Sequence, residues 1–120
     1  MPDNSILNPA AIQALRDLSP DGNMDFLREL VAIYLTDTPK QLAQLEDALS
    51  RQDAVVATRA AHSIKGSSGN FGAEYFSHLA QDIETACKAN NLAAASSFLP
   101  NFKKHCALVS EALKQIAAGS

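Results

Sequence analysis

The sequence predicts an all-α protein: an antiparallel up-down four-helix bundle with a short additional N-terminal helix. Apolar residues recur at steps of three and four throughout, and no segment alternates strictly for long enough to make a strand. Near the C-terminus, Leu92, Ala95, Leu99, Phe102, Cys106, Val109, Leu113 and Ile116 keep these steps without a miss, the seam of helices packed at a shallow angle. The breaks between periodic segments are short, so successive helices must run antiparallel. With 120 residues, 47% hydrophobic and 19% charged, the chain suits a single domain over 1–120 with one modest core.

The first helix is expected over 9–18, with Asn8 as its cap, Pro9 in its first position, and Ala11, Ile12, Leu15 and Leu18 on its apolar face. Ser19-Pro20-Asp21-Gly22 then reads as a turn. Asn23 is expected to cap a long second helix over 24–50, whose apolar side is Leu27, Leu30, Val31, Tyr34, Leu42, Leu45 and Leu49. Pro39 removes one backbone hydrogen bond there, but the apolar phase survives across it, which predicts a kink rather than a break. Asp53 caps a third helix over 54–68, and Gly66, Gly69 and Gly72 end it gradually. The fourth, over 73–89, carries Phe76, Leu79, Ala80, Ile83 and Cys87. Asn90-Asn91 makes a turn and a cap for the fifth, over 92–117, with a local distortion expected near Pro100.

Composition narrows the function. A formal net charge of -3, few aromatics and no Trp argue against a nucleic-acid surface. No apolar run approaches the roughly 20 residues needed to span a bilayer. The N-terminus lacks a basic stretch followed by an apolar one, so no secretory signal is expected and the predicted location is cytoplasmic. Cys87 and Cys106 fall on apolar stripes and are expected to be reduced core residues. His62, His78 and His105 fit no zinc spacing, and no metal site is expected.

The third helix carries the chemistry. On a helical wheel Ala57, Ala60, Ala61, Ile64 and Ser68 face the core. His62 therefore points outward, sharing its face with Val55, Thr58, Arg59, Lys65, Gly66 and Gly69. A neutral imidazole nitrogen is a competent nucleophile toward a phosphoryl group. Lys65, three residues on, can set an ammonium beside phosphoryl oxygens, and Arg59, three residues back, is a second candidate cation. Gly66 costs about 1 kcal/mol of helix stability relative to Ala, yet it clears the surface one turn from His62, and Gly69 extends the cleared strip. Taken singly, each has a plainer explanation. A lone exposed histidine is usually just surface, the glycines can mark a helix end, and Lys65 suits a helix C-terminus.

Taken together they form a motif. The run from Ala61-His62-Ser63-Ile64-Lys65-Gly66 through Gly72-Ala73 closely resembles the signature of histidine-containing phosphotransfer (HPt) domains, and the resemblance extends over nearly the whole chain. It implies that His62 takes a phosphoryl group from the aspartyl phosphate of a receiver domain, or from a hybrid sensor kinase, and passes it to another receiver aspartate. It further implies that Mg²⁺ and most of the catalysis belong to the receiver, so the chain is a carrier without autonomous catalysis. Glu84 matches the position that hydrogen-bonds the imidazole in this family, which would keep the proton on Nδ1 and leave Nε2 free. Gln81 and Lys88, one turn to either side, are further candidates to line the site. Docking is expected on the exposed strip around His62, including Val55 and Thr58, by a monomer whose contacts form and release. Two other classes compete. A degenerate bundle that only docks could lose His62, Lys65 and Gly66, and an enzyme using His62 would need a second catalytic group or paired metal ligands that the sequence does not supply nearby.

Overall fold

The computed structural model describes residues 6–19 and 24–118. It contains five helices, α1 (Pro9–Asp17), α2 (Asp25–Ser50), α3 (Ala54–Gly69), α4 (Glu74–Lys88) and α5 (Leu92–Ala118), and no strand among the described residues. Helices α2, α3, α4 and α5 pack in a ring, each on its sequence neighbour, and α2 closes it against α5. The predicted four-helix bundle is what forms, with α1 added at one end.

The core follows the predicted stripes. Leu27, Val31, Tyr34, Leu45 and Leu49 of α2 are buried, as are Phe76, Ala80, Ile83 and Cys87 of α4 and Ala95, Phe102, Cys106, Val109 and Leu113 of α5. Phe76 and Phe102 stack with ring centroids 4.6 Å apart, pinning α4 to α5. Both cysteines are free and buried, and burial pushes their thiols above the usual value. The Tyr34 hydroxyl meets Ser68 Oγ at 2.7 Å across the α2–α3 interface, and burial pushes its phenol up to about 12.

Two helices contain a proline and neither is broken. The helix α2 runs through Pro39 and α5 through Pro100. Both prolines are exposed, where water can serve the carbonyl that loses its partner. Helix ends otherwise move by a residue or so from expectation, and Asn23 lies outside the described residues, as do Pro20, Asp21 and Gly22 of the predicted turn. Leu18 departs from expectation: it lies beyond the end of α1 and is 64% exposed, because the helix stops before the residue turns inward.

The three turns inside the bundle share one hydrogen-bond scheme. Asp53 N donates to Ala48 O, Ala73 N to Ser68 O and Asn91 N to Ala86 O, each closing a loop five residues back. In each, the residue before the donor has a left-handed backbone: Gln52 at φ 59°, Gly72 at φ 73° and Asn90 at φ 58°. This satisfies carbonyls at the end of one helix and delivers the chain directly to the next cap. Asp53 then accepts from Val56 N, and Asn91 from Ala94 N.

The inner pair is shorter than the outer pair. At 1.5 Å per residue α3 and α4 are roughly 24 Å long, whereas α2 and α5 reach roughly 40 Å. The start of α2 and the end of α5 therefore project past the α3–α4 turn, where Arg28 Nε donates to Ala117 O. The step is filled by the segment leading into α1. Leu7 and Ile12 are buried there, Asn8 N donates to Gly72 O at 2.9 Å, and Asn8 Nδ2 donates to Glu74 Oε1. Asn8 also caps α1 through Ala10 N, as expected. A Cβ at Gly72 would lie 2.5 Å from Asn8 Cβ and 2.9 Å from Ala11 Cβ. Both this crowding and the positive φ require glycine. Gly72→Ala is expected to cost about 2–3 kcal/mol in urea unfolding; an unchanged midpoint would show that α1 is not seated on this turn.

Candidate functional site

The site lies along the α3–α4 seam. Small side chains at Ala57, Ala60 and Ala61 line the buried face of α3, and its packing with α4 is the most extensive helix pair in the molecule. Small residues at a helix contact favour close approach of the axes, and polar side chains of the two helices meet along this seam. His62 stands on the solvent side of α3, its side chain 65% exposed, as the wheel requires. Glu84 lies opposite on α4 and is only 3% exposed.

Glu84 is the hub. His62 Nδ1 lies 3.1 Å from its Oε2, and Lys88 Nζ reaches the same oxygen at 3.1 Å. Lys65 Nζ lies 3.0 Å from the fully buried Oε1, an ion pair rather than a well-aligned hydrogen bond. Burial alone would raise the Glu84 pKa, but the contacts from Lys65, Lys88 and His62 outweigh it and hold the carboxyl below its ordinary value. An ionised carboxylate only accepts, so Nδ1 must carry the proton it donates. That leaves the Nε2 lone pair, on the far side of the ring, directed away from Glu84.

Lys65 has a second partner. Its ammonium donates to Gln81 Oε1 at 2.8 Å, and Gln81 Nε2 donates to Thr85 Oγ1 at 3.0 Å. Ser77 Oγ donates to the Lys65 carbonyl at 3.3 Å, a further tie between the two helices.

The predicted site residues separate into two groups. His62, Lys65, Glu84, Gln81 and Lys88 come together. Neither Gln81 nor Lys88 is hydrogen-bonded to the imidazole, however: Gln81 holds Lys65, and Lys88 pairs with Glu84. Arg59 is not brought in. It lines a groove of about 450 Å³ between α2 and α3 with Gln44, Asp47, Arg51, Val56, Ala60 and Ser63, and has no ion-pair partner among the described residues. Three residues back from His62 put it on the α2 side of α3, whereas Glu84 lies on the α4 side. Val55 is 61% exposed, while Thr58 is half-buried and its hydroxyl donates to Ala54 O. Sequence reasoning missed Thr85, and its four-residue step from Gln81 on one helix face was the available signal.

The glycines also differ. A Cβ at Gly66 would meet nothing within 4 Å, so no contact among the described residues calls for glycine there. At Gly69 a Cβ would make an ordinary contact with Ser77 Oγ at 3.7 Å. The other histidines stand outside the cluster: His105 packs edge-on against Tyr75, and His78 is exposed on α4. Among the described residues, no group of three or more His, Cys, Asp and Glu is placed to hold a metal ion. No helix of the described residues is long and apolar enough to cross a membrane.

Fold and site together define a helical bundle that presents one oriented imidazole on an exposed face. The family model of the Hpt domain matches residues 29–119, and the chain belongs to that family. It is 33% identical over 84 residues to the phosphorelay intermediate protein rdeA of Dictyostelium discoideum, an alignment covering 70% of this chain and 33% of that protein. It is 29% identical over 80 residues to histidine-containing phosphotransfer protein 2 of Arabidopsis thaliana, covering 64% of this chain and 51% of that one. The chain thus spans between a third and about half the length of these two relatives. The fold matches that of histidine-containing phosphotransfer protein B from Pseudomonas aeruginosa with a TM-score of 0.84 at 24% identity, covering 93% of this chain and 94% of that one.

The depressed Glu84 pKa has a pH signature. Folded protein binds fewer protons than unfolded protein as pH falls below 4.5, so this stabilisation is present above that value and lost through the lower folded one. Glu84→Gln is expected to flatten the fall of stability as pH drops below 4.5 in urea titrations. An acid limb identical to wild type would remove the ionised hub.

Proposed function

We propose that this chain is a phosphorelay intermediate in which His62 Nε2 reversibly carries a phosphoryl group. The observation that supports this most is the pairing of Nδ1–H with buried, ionised Glu84 beside open backbone at Gly66. In the forward step the Nε2 lone pair attacks the phosphorus of a receiver's aspartyl phosphate. The P–N bond forms as the P–O bond breaks, and the released electron pair returns to the aspartate carboxylate. Nδ1 keeps its proton, so the ring gains positive charge, which Glu84 offsets. Reversal delivers the phosphoryl group to a second receiver aspartate, with protonated Nδ1 making the leaving group a neutral imidazole.

The partners proposed are receiver domains of response regulators or of a hybrid sensor kinase, met by a cytoplasmic monomer that binds neither nucleic acid nor membrane. The chain has no autonomous catalysis in this reading, and Mg²⁺ comes with the receiver. Docking uses the exposed strip of α3, with Val55 adding apolar area and Gly66 allowing close approach. The relatives named for phosphorelay and histidine phosphotransfer favour the same role.

His62→Gln is expected to fold normally and to take up no phosphoryl group from phosphorylated receivers, as read by phosphate-affinity gels and intact mass. Uptake at His78 or His105 in that variant would overturn the assignment. Gly66→Gln is expected to raise helix stability by about 0.5–1 kcal/mol while blocking transfer. Normal transfer by this variant would show that the glycine is not there for access.

A further inference from the structure

The geometry points to Gln81 and Thr85 as positioning residues that hold the Lys65 ammonium beside His62 without neutralising it; this rests on the carrier reading above. Lys65 is placed by two acceptors of different kinds. Glu84 Oε1 is charged and already belongs to a carboxylate shared with His62 and Lys88. Gln81 Oε1 is neutral and gives the shorter contact, 2.8 Å against 3.0 Å. A carboxylate acting alone would fix the ammonium and cancel its charge. An amide oxygen shares in fixing it and leaves the charge available to an incoming phosphoryl group.

The donor-only ammonium of Lys65 selects the direction of the Gln81 amide, and Thr85 anchors its other end. Gln81 can present either its oxygen or its NH₂ group to Lys65, and an NH₂ group would face the ammonium donor to donor. Its Nε2 donates to Thr85 Oγ1 at 3.0 Å, one turn along the exposed side of α4, which leaves Oε1 for Lys65. The chain of contacts therefore runs from Thr85 through Gln81 to Lys65. The imidazole's own hydrogen bond goes to Glu84, outside this chain of contacts. With the hub at one formal negative charge and two ammonium groups beside it, the site keeps one net positive charge while His62 is neutral. Replacing the amide by an acid would cancel it.

The test uses the full chain and a phosphorylated receiver that serves the wild type, with rates of phospho-His62 formation compared at matched thermal stability. Gln81→Leu is expected to slow transfer on the order of tenfold, the lower end of the scale for one hydrogen bond to a charged group. Thr85→Val, which keeps the shape of the side chain, should slow it less. Gln81→Glu should also slow transfer although it can still hold the ammonium, because the charge is spent. The decisive measurement is the double variant: in a Lys65→Ala background, Gln81→Leu should have no further effect. Additive losses, or a Gln81→Leu rate equal to wild type, would overturn the assignment, as would a Lys65→Ala rate equal to wild type. A wild-type chain that accepts phosphoryl groups from no receiver would sink the carrier reading and this one together; the other failures sink this one alone.

Discussion

A carboxylate set almost wholly below the surface must be compensated where it stands, and the Glu84 side chain is compensated entirely by groups reaching in from the solvent side. Loss of hydration would favour its neutral form, but two ammonium groups and one imidazole N–H converge on its two oxygens. The arrangement requires α3 and α4 to approach closely, which the alanines on the buried face of α3 permit. Packing in the core thus sets the electrostatics at the surface. The imidazole is oriented by the same contact that satisfies the acid, so neither can be moved without disturbing the other.

This coupling explains how an exposed histidine is kept in order. An unrestrained ring at 65% exposure would sample several rotamers and both tautomers. One hydrogen bond to an ionised acceptor restricts both at once. Lys88 reaches Glu84 as a largely exposed side chain and Lys65 as a half-buried one. Their value here lies in keeping Glu84 charged.

Much of this is legible in the sequence, because helical periodicity reports directly on which face is buried. The outward direction of His62, the core positions of Ala57, Ala61 and Ile64, and the caps at Asn8, Asp53 and Asn91 are all local features. What escaped is set by tertiary contact or by backbone. Arg59 shares the outward face on a wheel, but a wheel does not say which neighbouring helix lies to which side. Gln52 carries a left-handed backbone that its residue type does not advertise. The requirement for glycine at position 72 arises from Asn8, far away in sequence. The partners of Gln81 likewise depend on which atom of Lys65 arrives from α3.

The three turns with left-handed residues have a consequence for how the chain reaches this shape. Each joins two helices with almost no slack, so sequence neighbours can find one another by short, inexpensive loop closure. Within the ring, the contact of α2 with α5 joins the helices farthest apart in sequence. Assembly is therefore expected to resemble a ribbon folding back on itself, with closure of the outer pair as the last and slowest event. The His62–Glu84 contact belongs to one of the local pairs, so the reactive ring can be oriented before the domain is complete.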